Sequence, residues 1–329
     1  NVVSSQPRFD AISGRARAII GSRDRIDLAA SINLPLSDEA ALRVAGFTRD
    51  QRGIGRNVYT GRTFGDINDL GGRARLRVRP TSNLDITFSA DYVRGRGSPS
   101  HQILLGFNPN AGITVPIPPP GRPFFLPGVS PTGVRLPRDL GNDRSPDRFL
   151  NFASTPPVND VENWGASMTV NLDLTDNLRL RSITGYRAYD EDTFNDFDAT
   201  GYIMYDAASI LRQEQFSQEL QLAGDLADER VTYLLGAYYF NEEIFNRISL
   251  CTGTDQPRLV NRCLRSINNV GLDIDSVAFF GQVGWDITER LNVFAGLRWT
   301  RETKKQRFDS QLNNLDRIVT ALPPIAIPP

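Results

Sequence analysis

Two cysteines are the residues of this chain whose chemistry is most sharply defined. Cys251 and Cys263 lie twelve positions apart and are the only cysteines among 329 residues. Both fall in one predicted surface loop without a nearby histidine, which favours a disulfide over a metal site in an exported protein. His101 is the only histidine, which argues against a histidine-based metal site and against a histidine-dependent catalytic triad.

A second candidate for chemistry is an acidic stretch that contains two phenylalanines. Its members are Asp190, Glu191, Asp192, Phe194, Asp196, Phe197 and Asp198. Clusters of carboxylate oxygens can bind calcium, but the spacing of these carboxylates does not fit an EF-hand loop. We therefore favour solvated charge on a predicted outer loop over a calcium site.

The elements that must position these residues are strands in which apolar and polar side chains alternate. The apolar members of one such strand are Leu84, Ile86, Phe88, Ala90 and Tyr92. Those of the next are Trp164, Ala166, Met168, Val170, Leu172 and Leu174. Successive side chains of a strand point to opposite faces, so each strand has one apolar and one polar side. Strands of about ten residues with this pattern are typical of transmembrane β-barrels.

The connections between the strands alternate in length. Eleven strands are predicted, and from residues 35–40 onward every second connection has only a few residues. The long outer loops are predicted at about residues 50–69, 94–160, 190–211, 241–273 and 301–329. Short turns thus share one rim, as in outer-membrane barrels, apart from a tight turn at residues 21–24. A soluble β-sandwich has no reason to sort its loops by length, so the sequence favours an all-β, antiparallel transmembrane barrel.

Aromatic residues occupy the ends of the predicted lipid-facing rows. Tyr92, Trp164 and Trp299 lie at outer ends, and Trp285 lies near an inner end. Aromatic girdles of this kind belong at the two interfaces of a bilayer. These four residues are therefore predicted to form an aromatic girdle.

The composition is compatible with such a barrel. Hydrophobic residues make up 40% of the chain, and the formal net charge is −1. No run of about 18 apolar residues is present to form a membrane-spanning helix, but a barrel strand needs only about 9–11 residues, every second one polar. No basic face or tail stands out, which argues against a nucleic-acid partner.

Four arginines share the polar side of one predicted strand. Arg73, Arg75, Arg77 and Arg79 alternate with the apolar residues Ala74, Leu76 and Val78. They must face the barrel lumen, because an arginine turned to lipid at mid-bilayer costs about 2–4 kcal/mol. A solvated face with local ion pairs is favoured over contact with an anionic ligand or with the carboxylates of a domain inside the barrel.

Several stretches resemble TonB-dependent outer-membrane receptors of the ferric-siderophore type. Residues 1–7, NVVSSQP, resemble the end of the plug domain of that family. The barrel-like stretches are DRIDL (24–28), LPLSD (34–38), ALRVAG (41–46), FSQELQLAG (216–224), LGAYYF (235–240), FFGQ (279–282) and AGLR (295–298). Their order along the chain follows the order of strands in the barrel of the family.

The resemblance implies a plug domain inside a barrel of about 22 strands. Residues 1–8 would be the end of the plug and its link to the barrel, and residues 9–329 would be a partial barrel, its first half. The chain would then be a fragment that lacks most of the plug, the TonB-contacting box and the second half of the barrel.

The same resemblance implies energised transport rather than enzymatic activity. The protein would lie in the outer membrane of a Gram-negative bacterium, surrounded by its lipid, and would take up a scarce, bulky ligand. A ferric siderophore is the first expectation, ahead of cobalamin or an oligosaccharide. TonB, with ExbB and ExbD, would be the partner through segments outside this chain, and no cofactor is implied.

Five phenylalanines in predicted outer loops are candidates for ligand contact. They are Phe107, Phe124, Phe125, Phe194 and Phe197. Outer loops of the family hold ligands with exposed aromatic side chains. The same side chains would serve equally well to pack the loops against one another.

Other functions are compatible with parts of this pattern. A passive porin without a plug is the main alternative, and a plug-sized domain before residue 1 would decide against it. A secreted β-sandwich adhesin or lectin needs no lipid-facing band, so a charge at Leu28 or Val170 would be mild there and damaging in a barrel. A protease or lipase barrel is least favoured, because no convincing catalytic set is found.

Overall fold

One antiparallel β-sheet of eleven strands dominates the computed structural model. The structure describes residues 5–58, 61–98, 114–116, 123–125, 147–153, 156–197, 199, 205–226, 230–253 and 263–313. Nowhere in these ranges is there a helix with the length and apolar character needed to cross a membrane. The predicted all-β, antiparallel architecture and the eleven long strands are confirmed.

Long strands that follow one another along the chain are also neighbours in the main sheet. The bounds of all strands are β1 Ser13–Gly21, β2 Arg25–Pro35, β3 Ala40–Gln51, β4 Gly55–Asn57, β5 Thr63–Phe64, β6 Ile67–Thr81, β7 Leu84–Gly97, β8 Thr114–Pro116, β9 Pro123–Phe125, β10 Leu150–Asn151, β11 Val158–Thr175, β12 Leu178–Asp196, β13 Tyr205–Leu226, β14 Val231–Gly253, β15 Cys263–Thr288 and β16 Leu291–Asn313. The main sheet has the order β1-β2-β3-β6-β7-β11-β12-β13-β14-β15-β16, with β1 and β16 as its edges. Strands β10, β4 and β5 form a separate sheet, and β8 pairs with β9.

The register brings the apolar residues of neighbouring strands to one face of the main sheet, which we call the apolar face. Leu76 pairs with Phe88, and Phe88 pairs with Met168. On the opposite side, the polar face, Arg77 pairs with Thr87. A slip of one residue would turn every side chain to the other face. The alternation in the sequence therefore specifies the strand pairing.

Two-residue turns share one rim of the sheet. They are residues 82–83, 176–177 and 289–290. Neighbouring turns are joined laterally, since the carbonyl of Asn83 accepts a 2.9 Å bond from the Asp173 amide and that of Asn177 a 3.1 Å bond from the Asp225 amide. On the opposite rim, Arg23 and Asp24 in the three-residue connection between β1 and β2 have φ angles of 62° and 56°, in the left-handed region that tight turns use.

Several strand ends extend beyond the positions that the sequence pattern predicts, and five of them do so by the most. β12 continues to Asp196, β13 begins at Tyr205, β14 continues to Gly253, β15 begins at Cys263, and β16 continues to Asn313. The outer loops predicted at 190–211, 241–273 and 301–329 are therefore much too long, and those predicted at about 50–69 and 94–160 are too long by a few residues at each end. Glu242 and Glu243 place polar side chains on both faces where the β14 extension begins, so the apolar row of that strand is interrupted while the strand pairing continues.

Side chains are buried on β15, at Ser276 and Ala278, and near the outer ends of β12 and β13, at Asp196, Ala199 and Asp206. Two further buried places matter for the path of the chain. On the polar face, Asn33 of β2 and Ala41 of β3 are both 0% exposed. The second place is the small sheet β10-β4-β5, where Phe64, Asn57 and Asn151 are buried. Each of these places joins segments that are distant in the chain.

Candidate functional site

The apolar face carries a band that ends in a row of aromatic rings. Tyr92 pairs with Trp164, and the Trp164 ring lies 5.2 Å from the Tyr186 ring. Farther along the sheet, the rings of Phe279 and Trp299 are 6.1 Å apart. All these residues lie at the end of the apolar band that is farther from the two-residue turns.

Trp285 lies at the other end of the apolar face. It pairs with Val231 and Val293, close to the turn at residues 289–290. The four residues of the predicted girdle are thus distributed over both ends of the apolar band. Their contact with membrane interfaces stays a prediction.

Beyond the aromatic row the same face becomes charged. Arg96 forms a 3.0 Å ion pair with Asp160. Arg212 lies 2.7 Å from Asp192 and 3.3 Å from Asp190. The hydrogen bond to Asp192 raises the pKa of Arg212. This change from apolar to charged side chains sets the outer limit of the band.

The acidic stretch is not a loop, as the sequence predicted, but the outer end of β12. Glu191 lies on the polar face, where it accepts a 3.1 Å hydrogen bond from the Tyr189 hydroxyl. Asp196 accepts a bond from the Ala199 amide, and Asp198 lies outside the described residues. Among the described residues, no group of three or more His, Cys, Asp or Glu side chains is placed to hold a metal ion.

The predicted arginine row lies on the polar face of β6, where it forms local ion pairs. Arg77 and Arg79 both contact Asp85 of β7, at 2.5 Å and 2.9 Å. Arg73 lies 3.3 Å from Asp91, which also receives Arg187 of β12 at 3.2 Å. Such ion pairs agree with the interpretation favoured from the sequence, a solvated face with local ion pairs.

Positive charge predominates on the polar face of the first seven long strands, β1, β2, β3, β6, β7, β11 and β12. Its arginines are Arg15, Arg17, Arg25, Arg43, Arg49, Arg73, Arg75, Arg77, Arg79, Arg179, Arg181 and Arg187. Its carboxylates are Asp27, Asp69, Asp85, Asp91, Asp173 and Glu191. Among the described residues of these strands the arginines outnumber the carboxylates two to one. The face therefore favours contact with negatively charged groups.

An N-terminal segment, residues 5–12, lies against this polar face. Asn33 accepts a 2.8 Å hydrogen bond from the amide of Arg8 and donates to the carbonyls of Arg8 and Ala11, at 2.9 Å and 3.0 Å. Pro7 is buried as well. The alternation of β2 places Asn33 on the polar face, but no local pattern in the sequence singles it out as a contact residue.

The same segment reaches the arginine row. The Phe9 ring lies 4.6 Å from the Arg79 guanidinium and 5.6 Å from that of Arg77. Arg75 donates a 3.3 Å hydrogen bond to the carbonyl of Ser5. The arginines thus hold the N-terminal segment in addition to their carboxylate partners.

A second contact surface on the polar face lies on β14–β16. The Arg298 guanidinium lies 5.9 Å from the Tyr238 ring and 5.4 Å from the Phe280 ring. The rings of Tyr238 and Phe240 are 6.4 Å apart and nearly parallel. This part of the face is aromatic, in contrast to the arginine-rich part on β1–β12.

The small outer sheet ties two long connections together. Asn57, in the connection between β3 and β6, donates 2.7 Å and 2.8 Å hydrogen bonds to the Asn151 side chain and the Ala153 carbonyl. Both acceptors belong to the connection between β7 and β11. The sequence carries no signal for this contact, because its partners are some ninety residues apart.

The predicted ligand-contact phenylalanines are not brought into one group among the described residues. Phe124 and Phe125 are on β9, whereas Phe194 and Phe197 are at the outer end of β12. Phe107 lies outside the described residues. Ligand contact therefore stays a prediction for all five.

Both cysteines lie at strand ends. Cys251 is on β14 and is disulfide-bonded. Gly253, two residues further, pairs with Cys263 of β15, so the register brings the two cysteines to adjacent strands. The Cys263 side chain is outside the described atoms, and its pairing with Cys251 stays a prediction.

Long antiparallel strands with one apolar and one polar face define the class of transmembrane β-barrels. A sequence model of the family described as TonB dependent receptor-like, beta-barrel, matches residues 117–317. The chain belongs to this family, whose members are transport receptors rather than enzymes.

Solved structures share the fold at low sequence identity. The ferric yersiniabactin uptake receptor FyuA from Yersinia pestis is 14% identical, with a TM-score of 0.65, over 94% of this chain and 44% of that protein. The ferripyoverdine receptor of the Pseudomonas aeruginosa outer membrane is 10% identical (TM-score 0.62; 95% and 40% covered). The copper transporter OprC is 14% identical (TM-score 0.55; 93% and 42% covered). The chain spans less than half the length of each.

Proposed function

We propose that the full-length protein is a TonB-dependent transporter in the outer membrane of a Gram-negative bacterium and that it takes up a ferric siderophore. Membership of the TonB-dependent receptor family carries this proposal. TonB, with ExbB and ExbD, would supply the energy through segments outside this chain. The siderophore is supported by what the similar receptors FyuA and the ferripyoverdine receptor bind, and by the excess of arginine on the polar face, which suits an anionic chelate.

The division of the chain follows from the same proposal. Residues 1–8 are the end of a plug domain and its link to the barrel, and residues 9–329 are part of the barrel. The position of the N-terminal segment on the polar face supports this division, because a chain that leaves a plug must start inside the barrel. The apolar face then contacts lipid, and Arg73, Arg75, Arg77 and Arg79 line the lumen.

The outer regions would capture the ligand. Phe107, Phe124, Phe125, Phe194 and Phe197 are the proposed contact residues. A Cys251–Cys263 disulfide would restrict the connection between β14 and β15, since a cross-link removes conformational freedom from the loop that it closes.

Uptake by the full-length protein tests the proposal. The gene would be expressed in otherwise identical cells with and without TonB, and accumulation of radioactive iron would be measured with a panel of siderophores at low external concentration. Accumulation of one ferric siderophore that requires TonB is the expected result. Equal flux in both strains, in proportion to external concentration, would instead make the protein a passive porin.

A further inference from the structure

The N-terminal segment is attached to the wall by side chains rather than by strand pairing. Residues 5–12 belong to no strand, and Asn33 bonds to the main chain at Arg8 and Ala11. The single carboxamide both accepts from and donates to the backbone of Arg8, as a neighbouring strand would. Because one side chain replaces a whole strand, one substitution is enough to remove this attachment.

A second attachment lies two strands away. Phe9 packs on the guanidinium groups of Arg77 and Arg79, and both arginines are held by Asp85. The segment therefore bridges from β2 to β6, a distance of about 10 Å across the sheet. An attachment at two points resists rotation as well as separation.

We propose that Asn33, Phe9 and the arginine row form an anchor that keeps residues 5–11 on the wall while the chain before Ser5 is displaced during transport. The inference rests on the proposed TonB-dependent function, which supplies the displacement. Asn33 is then a positioning residue: it contacts the protein backbone, and it sets the point at which movement of the preceding chain stops.

Exposure of a buried reporter on the same face measures the anchor. Ala41 is 0% exposed and lies on the polar face between Pro35 and Arg77, and Phe9 of the segment packs on Arg77. We therefore expect an Ala41→Cys thiol to become more reactive when the segment leaves this part of the face. The full-length protein would be labelled with a maleimide in outer membranes of cells with and without TonB. Label taken up by the parent without the reporter is subtracted.

The expected result separates anchored from released segments. With native Asn33 the reporter labels slowly, at the same rate with and without TonB. In Asn33→Ala the rate rises roughly tenfold without TonB and rises further with TonB. Siderophore binding is retained in this variant, whereas uptake falls. Asn171→Ala is the control, since it lies on the polar face of β11, roughly 19 Å from β2. Its reporter should label at the same rate as in the protein with native Asn33 and native Asn171.

Two outcomes would overturn the anchor. One is a labelling rate in Asn33→Ala equal to that of the reporter protein with native Asn33. If Asn33→Ala does not assemble, Phe9→Ala replaces it. That variant removes only the ring from the arginines and should raise the labelling rate several-fold, and an unchanged rate would overturn the anchor. The other is faster labelling of the protein with native Asn33 when TonB is present, because the segment would then leave the wall in normal transport. Failure of the proposed function would appear in a different measurement, as siderophore uptake that is equal with and without TonB. The labelling rate without TonB would still test the anchor in that case.

Discussion

Asp85 is the residue on which the arginine row depends most. Its carboxylate receives both Arg77 and Arg79, and its side chain is 21% exposed. The two guanidinium groups that it binds also hold Phe9. A loss at Asp85 therefore affects both the sheet and the N-terminal segment.

We expect Asp85→Asn to lower the free energy of unfolding by about 1–3 kcal/mol, because two partly buried guanidinium groups lose their charged partner. Urea unfolding of the full-length protein in detergent measures this. Asp24→Asn is the matched control, since Asp24 is 73% exposed and lies 3.4 Å from Arg52; its effect should stay below about 0.5 kcal/mol. Equal effects of the two substitutions would contradict the importance of Asp85.

Single residues differ in how far the sequence predicts their contacts. The alternation around Arg75 is sufficient to place it on the polar face. The contact between Asn33 and Arg8 depends on the path of a segment that belongs to no strand. No local pattern encodes that path, so the anchor residues become visible only in the structure.

At the scale of the strand, the face that a residue occupies determines which substitutions β11 tolerates. Val170 pairs with Ile86 on the apolar face, and the adjacent Thr169 pairs with Thr87 on the polar face. We expect Val170→Arg to cost about 2–4 kcal/mol in the bilayer and to reduce assembly, whereas Thr169→Arg should be mild. The amount of folded protein in outer membranes is the measurement. Similar yields from the two variants would speak against a lipid-facing band.

The small outer sheet should depend on one buried amide. In Asn57→Ala, the Asn151 side chain and the Ala153 carbonyl lose the donor that joins them to β4. We expect amide hydrogen exchange in residues 55–57 and 149–153 to accelerate roughly tenfold, with β11–β13 unchanged as the internal control. Uniform acceleration over the whole chain would show a global rather than a local effect.

The strands also show where prediction from sequence ends. The two-residue turns follow from the interruption of the hydrophobic alternation, as at residues 176–177. The outer ends of β12 and β14 could not be predicted, because polar residues such as Glu242 and Glu243 lie on both faces there. Backbone hydrogen bonds continue the ladder past such an interruption of the apolar row.

For the whole molecule, the division of the polar face is the main electrostatic feature. Its β1–β12 part is rich in arginine and holds the N-terminal segment, whereas β14–β16 carry the aromatic cluster around Arg298. A domain inside the barrel would meet a basic surface on one side and an aromatic surface on the other. The eleven-stranded sheet itself was predictable, because the alternation of apolar and polar side chains recurs in the part of each long strand nearer the short turns.

The central claim is that lipid contacts the apolar face and that the polar face lies inside the barrel. Spin labels placed one at a time at residues 164–172 of the full-length protein in bilayers test it most directly, with oxygen as the lipid-soluble relaxing agent. The account predicts high oxygen accessibility at even positions such as Met168 and Val170, and low accessibility at odd positions such as Thr169. Accessibility without this two-residue period would contradict the account.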